Sequence, residues 1–230
     1  PGFGTIARMA ERDDLDAALK ALLRPDAFRD YGPNGLQVEG RPPVRRIVSG
    51  VTASLALLAA AADAGADALL VHHGLFWRGH DGRLTGWLAE RVRRLMAGGI
   101  NLFAYHLPLD APAELGNNAQ LGLRLGWRAD ARFGDQRRGF VADADGSSAE
   151  AIARRVADVL SREPLLLAGD GRPIRRVAWC TGGAQSYFEA AIAAGADLYL
   201  TGEVSEPQAH LARETGVAFV ACGHHASERY

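Results

Sequence analysis

The chain has 230 residues, 48% hydrophobic and 23% charged, an ordinary globular composition that excludes a disordered, collagen-like or mucin-like polypeptide. With 26 basic against 27 acidic residues the formal net charge is −1, which offers no footprint for direct nucleic-acid contact or an anionic membrane. Two cysteines, Cys180 and Cys222, exclude a disulfide framework and point to a reducing compartment.

The predicted elements alternate between helix and strand. Asp14 to Leu23 places Leu15, Ala18, Leu19 and Leu22 on one helical face after an acidic first turn. Turn formers follow from Tyr31 to Gly35. Val44 to Val51 reads as a strand, Ser54 to Ala64 as a helix stopped by Gly65, and Asp67 to Val71 as a buried strand. Leu84 to Met96 is helical up to Gly98-Gly99, and Ile100 to Tyr105 is again a strand. A helix near Asn118 to Leu125, a turn-rich stretch, and a helix near Ser148 to Leu160 capped by Ser147 or Ser148 come next. No apolar run is long enough to cross a bilayer, and the N-terminus has no charged-then-apolar signal pattern, so a cytoplasmic protein without membrane contact is expected.

An internal repeat organises these elements. Arg45-Arg46-Ile47-Val48 is matched by Arg175-Arg176-Val177-Ala178, and Ala64-Gly65-Ala66-Asp67 by Ala194-Gly195-Ala196-Asp197. Gly99 to Ala104 parallels Gly216 to Ala221. The expected fold is α/β: two similar domains from a duplication, 1–128 and 129–230, each a mixed or mostly parallel sheet flanked by helices, sharing one cleft.

Five of the seven histidines lie in three segments that directly follow strands: Val71-His72-His73-Gly74, Tyr105-His106-Leu107-Pro108-Leu109-Asp110 and Gly223-His224-His225-Ala226-Ser227-Glu228. Loops beyond the carboxyl ends of strands are where open α/β sheets build sites. Imidazole with carboxylate suits Zn, Mn, Fe, Co or Ni, and the absence of cysteine argues against a structural zinc site. Neighbours on extended backbone point to opposite sides, so His72 and His73 are expected to serve two different ions. A carboxylate such as Asp110 or Glu228 can bridge a pair of ions roughly 3.5 Å apart, the arrangement of metal-assisted hydrolysis. A lone histidine at a strand end is more often a hydrogen-bonded surface residue, but three clusters at equivalent places favour metal.

Weaker features have alternatives. Cys180-Thr181-Gly182-Gly183 could hold a phosphate, though a tight turn explains it more simply. Glu203 and Glu206 could act as general acid or base or lie in a solvated loop. Asn117 and Asn118 are read as helix caps, Cys222 as core, and His80 and His210 as structural. Trp77 could stack on a base or simply pack.

The segments Gly32 to Val38, Val71 to Gly74, His106 to Asp110, Gly116-Asn117-Asn118, Thr201-Gly202-Glu203 and Gly223 to Glu228 resemble, in order, the Nif-three-like dinuclear metal-binding family, in its short bacterial form. Its members are commonly named GTP cyclohydrolase 1 type 2 homologs. The resemblance implies two divalent ions held by His72, His73, Asp110, His224 and Glu228, with Glu228 as bridge and His106 beside the metals orienting a ligand or water. It also implies a homohexamer. It further implies a small-molecule substrate, a purine nucleotide by the family name, whose guanine imidazole ring would be opened by metal-bound hydroxide with loss of formate. His106 and Glu203 are the candidate catalytic residues. The alternative is a non-enzymatic metal-binding assembly or regulatory partner with closed coordination. The family pattern continues beyond Tyr230, and no initiating Met stands at Pro1, so the expectation is a sequence trimmed at its ends.

Overall fold

Polar turns and glycine stops divide the apolar runs into strands and helices that form two α/β units, meeting in sequence between Leu109 and Asp110. The computed structural model describes residues 9–230, so the expectation about Pro1 and the N-terminal signal pattern lies outside the described residues.

The first unit is built on a four-stranded sheet of β1 (Gly35–Val38), β2 (Ile47–Thr52), β3 (Ala68–His73) and β4 (Asn101–Ala104), in the order β1-β4-β3-β2. β2, β3 and β4 run parallel, and β1 joins the edge antiparallel to β4. Helices α1 (Arg12–Leu23), α2 (Leu55–Asp63) and α3 (Gly86–Gly98) cover it. Ser54 starts α2 by accepting a hydrogen bond from the Leu57 N–H at 3.2 Å. Gly99 ends α3 with φ +62°, a conformation that suits glycine. Strand alternation then sorts the core: Leu69, Val71 and Leu102 pack with Leu58, Leu88 and Leu95, while Ala68, Phe103 and Tyr105 pack with Leu23 and Val44.

The second unit holds a six-stranded sheet of β5 (Ala131–Phe133), β6 (Gly139–Asp143), β7 (Leu165–Leu167), β8 (Arg176–Trp179), β9 (Leu198–Thr201) and β10 (Ala218–Ala221). Its order is β5-β6-β8-β9-β10-β7, with β8, β9 and β10 parallel and the outer strands antiparallel. The short helix α4 (Leu107–Asp110) leads in, followed by α5 (Asn117–Arg124), α6 (Ala149–Leu160), α7 (Phe188–Ala193), α8 (Glu206–Thr215) and α9 (His224–Glu228). Ser148 caps α6 by accepting from the Ala151 N–H, as expected. Val177, Trp179, Leu198, Leu200 and Val220 face Ile152, Val156 and Leu160. Ala178, Tyr199 and Phe219 face the opposite way, against Phe188 and Ala191.

One sequence expectation needs adjusting here. The stretch from Asp110 to about Arg128, assigned by sequence to the first repeat, packs in the second unit, where Leu121, Leu125 and Trp127 share a core with Trp179. The sheets are mixed, one of the two arrangements expected, with short antiparallel strands added at the edges. Among the described residues, no helix is long and apolar enough to cross a membrane.

Each unit ties its first parallel strand to the next with the same carboxylate device. Asp67 Oδ2 accepts from the backbone N–H groups of Arg45 and Arg46 at 2.9 and 3.1 Å. Asp197 Oδ2 accepts from Arg175 and Arg176 at 2.9 and 3.0 Å. Both aspartates are only partly buried, so water replaces some of what is lost on truncation. Asp67→Ala and Asp197→Ala are each expected to cost about 1–2 kcal/mol, lowering the melting midpoint by roughly 2–8 °C. The corresponding asparagine variants, which keep an accepting oxygen, should lose less. Calorimetric melts of the four variants check this, and unchanged alanine variants would contradict it.

Candidate metal centre

In the first unit, strand geometry delivers three imidazoles to one place. His72 and His73 end β3, and His106 follows β4 by two residues. Because β3 and β4 are parallel neighbours, their carboxyl ends lie side by side. The donor atoms of His72, His73 and His106 lie within 4.8 Å of one another. Ring centroids are 4.6 Å apart for His72 and His73 and 5.0 Å for His72 and His106.

The two adjacent rings are each oriented by a hydrogen bond of their own. His72 Nδ1 lies 3.1 Å from the carbonyl oxygen of Tyr105, and His73 Nδ1 lies 3.0 Å from Thr52 Oγ1, opposite it in β2. A carbonyl can only accept, so His72 donates from Nδ1, which in the neutral imidazole leaves the lone pair on Nε2, as a metal ligand requires.

His106 is held by a residue that the sequence reading missed. Asp30, with a side chain only 3% exposed, accepts from His106 Nδ1 at 2.6 Å. It also accepts from the backbone N–H groups of Tyr31 and Leu107 and from Asn34 Nδ2. Asn34 Oδ1 in turn accepts from the His106 N–H at 2.8 Å. Burial alone would raise the Asp30 carboxyl, but the His106 and Asn34 hydrogen bonds outweigh it and hold the group at about 2. Gln37 completes the tie, accepting from the Leu75 N–H and donating to the Pro33 carbonyl. Trp77 stands beside the cluster, 5.1 Å from the His106 ring and 37% exposed, so it both packs and presents an indole surface.

In the second unit, Asp110, His224 and Glu228 have their own supports. Asp110 is buried and accepts from Asn117 Nδ2 at 2.9 Å and from the Thr181 hydroxyl at 3.3 Å. Asn118 donates to the Asp110 carbonyl and accepts from the Thr181 N–H at 2.8 Å. The cap of α5 is Gly116, so the reading of Asn117 and Asn118 as caps is corrected: both side chains reach back to Asp110.

His224 and Glu228 sit one turn apart on α9, with Nε2 and Oε1 at 3.3 Å. Glu203 Oε1 accepts from His224 Nδ1 at 2.6 Å, which gives Glu203 a positioning contact. The Glu228 hydrogen bond, opposed by burial and joined by Glu203, raises the His224 imidazole to about 9. A cation binding there must therefore displace a proton. His225 is exposed.

The donor chemistry fits divalent metal. Nitrogen and carboxylate oxygen are available, whereas burial pushes the Cys180 and Cys222 thiols up to about 12, so neither offers a thiolate. Space is provided as well: a Cβ on Gly182, whose φ is +71°, would collide with Glu228 Oε1 and stand 3.1 Å from His224 Nε2.

Asp30 yields a pH prediction. A carboxyl at about 2 when folded, against about 4 when unfolded, stabilises the fold above pH about 4. That contribution, about 2 kcal/mol, is lost as the pH falls through about 2. Asp30→Asn removes it. The stability gap between wild type and variant, read from urea midpoints, is expected to be full near neutrality and to shrink in acid. A gap independent of pH would contradict the assignment.

Comparisons with known proteins place the chain. It matches the Duf34/NIF3 (NGG1p interacting factor 3) family over residues 10–230. A Pseudomonas aeruginosa protein named GTP cyclohydrolase 1 type 2 homolog is 56% identical, covering 99% of this chain and 88% of the relative. An Escherichia coli protein of the same name is 46% identical, covering 94% and 87%. Among solved structures, one described as protein ybgI, of unknown function, superposes with a TM-score of 0.91 at 43% identity, covering 95% of this chain and 89% of that one. TTHA1606 from Thermus thermophilus gives 0.84 at 34% identity, covering 95% and 88%. With a match over nearly its whole length and relatives at about half identity, the chain belongs to the Duf34/NIF3 family.

Proposed function

We propose that this chain is a dinuclear metal-dependent hydrolase acting on a nucleotide-like small molecule. The observation that carries the reading is the state of the donor set. His72, His106 and His224 each donate from Nδ1 to an oxygen of their own unit, and His73 Nδ1 rests against Thr52. The proposed ligands are His72 and His73 from the first unit with Asp110, His224 and Glu228 from the second, and Glu228 is the proposed bridge. Nitrogen and oxygen donors of this kind accept Zn, Fe, Mn, Co or Ni. When bound, such ions supply Lewis acidity, polarising a substrate and lowering the pKa of water.

The remaining roles follow from contacts. Glu203 orients His224 through Nδ1. Asp30 orients His106 through Nδ1, and the Nε2 of His106 would position a water or carry a proton. The exposed indole of Trp77 offers a planar surface for a base. Two relatives bear the name GTP cyclohydrolase 1 type 2 homolog, and this supports a purine nucleotide as substrate class. The repeated strand order and the Asp67 and Asp197 devices support a duplication that supplies one ligand set per unit. A cytosolic homohexamer completes the reading.

Elemental analysis of protein purified without chelator is expected to give close to two divalent ions per chain. His73→Ala should lower that ratio, and Gly182→Ala should weaken affinity by tenfold or more through the collision with Glu228. Loaded protein should hydrolyse a member of a nucleotide and phosphoester panel, and His73→Ala should not. No ions, and no uptake on reconstitution, would sink the metal centre. Two ions without turnover would instead favour the metal-binding assembly.

A further inference from the structure

Away from the histidines, the second unit contains a concave pocket of about 490 Å³. Its floor is formed by Trp127, Phe140 and Trp179, all buried, and Arg128, Arg132 and Arg137 stand around it. The volume lies in the range of small-molecule sites, far above what one phosphate group fills.

Its electrostatics are unbalanced. Among the described residues, none of these three arginines has a carboxylate partner at ion-pair distance. The acid at the rim, Asp130, is engaged by Arg176 through two bonds of 2.7 and 2.9 Å. Arg132 is half-buried and fixed: its Nη1 donates to the Ala111 carbonyl at 3.0 Å, and its guanidinium lies 3.8 Å from the Phe140 ring centroid. Burial and then the like charge of Arg137 pull the Arg132 pKa down. Two other exposed arginines of this unit do carry carboxylate partners, Arg172 with Asp170 and Arg155 with Asp145. Guanidiniums gathered without a counter-charge, one of them already oriented by stacking, suit an oxyanion with several acceptor oxygens.

We propose that this pocket is a binding site for a phosphorylated small molecule, held by Arg128, Arg132 and Arg137 over the aromatic floor. It is separate from the histidine clusters and does not depend on the hydrolase reading. The aromatic side chains set the shape of the floor and lock Arg132, while Arg128 and Arg137, both exposed, close on the phosphate oxygens.

Titration calorimetry on the full chain as purified tests this, with inorganic pyrophosphate and a nucleoside triphosphate as probes. Both should bind, more weakly as salt rises. Arg128→Ala and Arg137→Ala should each weaken binding roughly tenfold, the value of one charged hydrogen-bonding partner. Neither should change the melting midpoint, since both side chains are exposed. His73→Ala distinguishes the sites: pocket binding should survive it, whereas phosphate held by bound metal should not. Tighter binding of the nucleotide than of pyrophosphate would identify a nucleoside phosphate as the ligand, and equal affinity would identify the phosphate chain alone. Absence of binding, or binding that Arg128→Ala and Arg137→Ala leave intact, overturns the proposal.

Discussion

The candidate centre depends on one constraint: the imidazoles are fixed through Nδ1 by oxygens of their own unit. The partners differ in kind, a backbone carbonyl for His72, a hydroxyl for His73, and carboxylates for His106 and His224. The consequence is common to them. A histidine bonded at Nδ1 cannot spin about its χ2 axis without losing that bond, so Nε2 is held in place before any ligand arrives. The carbonyl of Tyr105 follows β4 and Thr52 belongs to β2, so the register of the parallel sheet decides where these nitrogens point. The sheet is therefore part of the site.

Much of this was legible in the sequence. The principal helices emerged from apolar spacing and glycine stops, and the parallel strands from short apolar runs, because those signals are local. The edge strands were not. Gly35–Val38 and Leu165–Leu167 lie in segments dominated by turn formers, and their conformation is imposed by pairing with β4 and β10. The histidine segments stood out because each ends a strand. Asp30 did not, since its partner His106 lies 76 residues away and nothing local marks the contact. Asn117 and Asn118 were misread for a related reason. Their position fits a helix start, and only the folded chain reveals Asp110 as the group they serve.

The adjacent histidines show what a periodicity rule leaves open. Alternation holds along β3, where Leu69 and Val71 enter one core and Ala68 the other. At His72 and His73, whose rings are 4.6 Å apart, each ring also answers to its own hydrogen-bond partner. A side chain at a strand end is steered by what it touches as well as by the pleat, and so sites can be assembled at such ends.

Charge bears on the choice between catalysis and storage. In the proposed centre, two divalent ions bring more positive charge than Asp110 and Glu228 cancel, and the neutral imidazoles cancel none. Asp110 is further spread over the hydrogen bonds from Asn117 and Thr181. His224, raised to about 9 by Glu228 and Glu203, gives up its proton on binding a cation, which trades one positive charge for another. A store or structural site favours closed, neutralised coordination. Five protein ligands for two ions would leave both charge and coordination positions over, and an anionic substrate carrying its own oxygens would supply both.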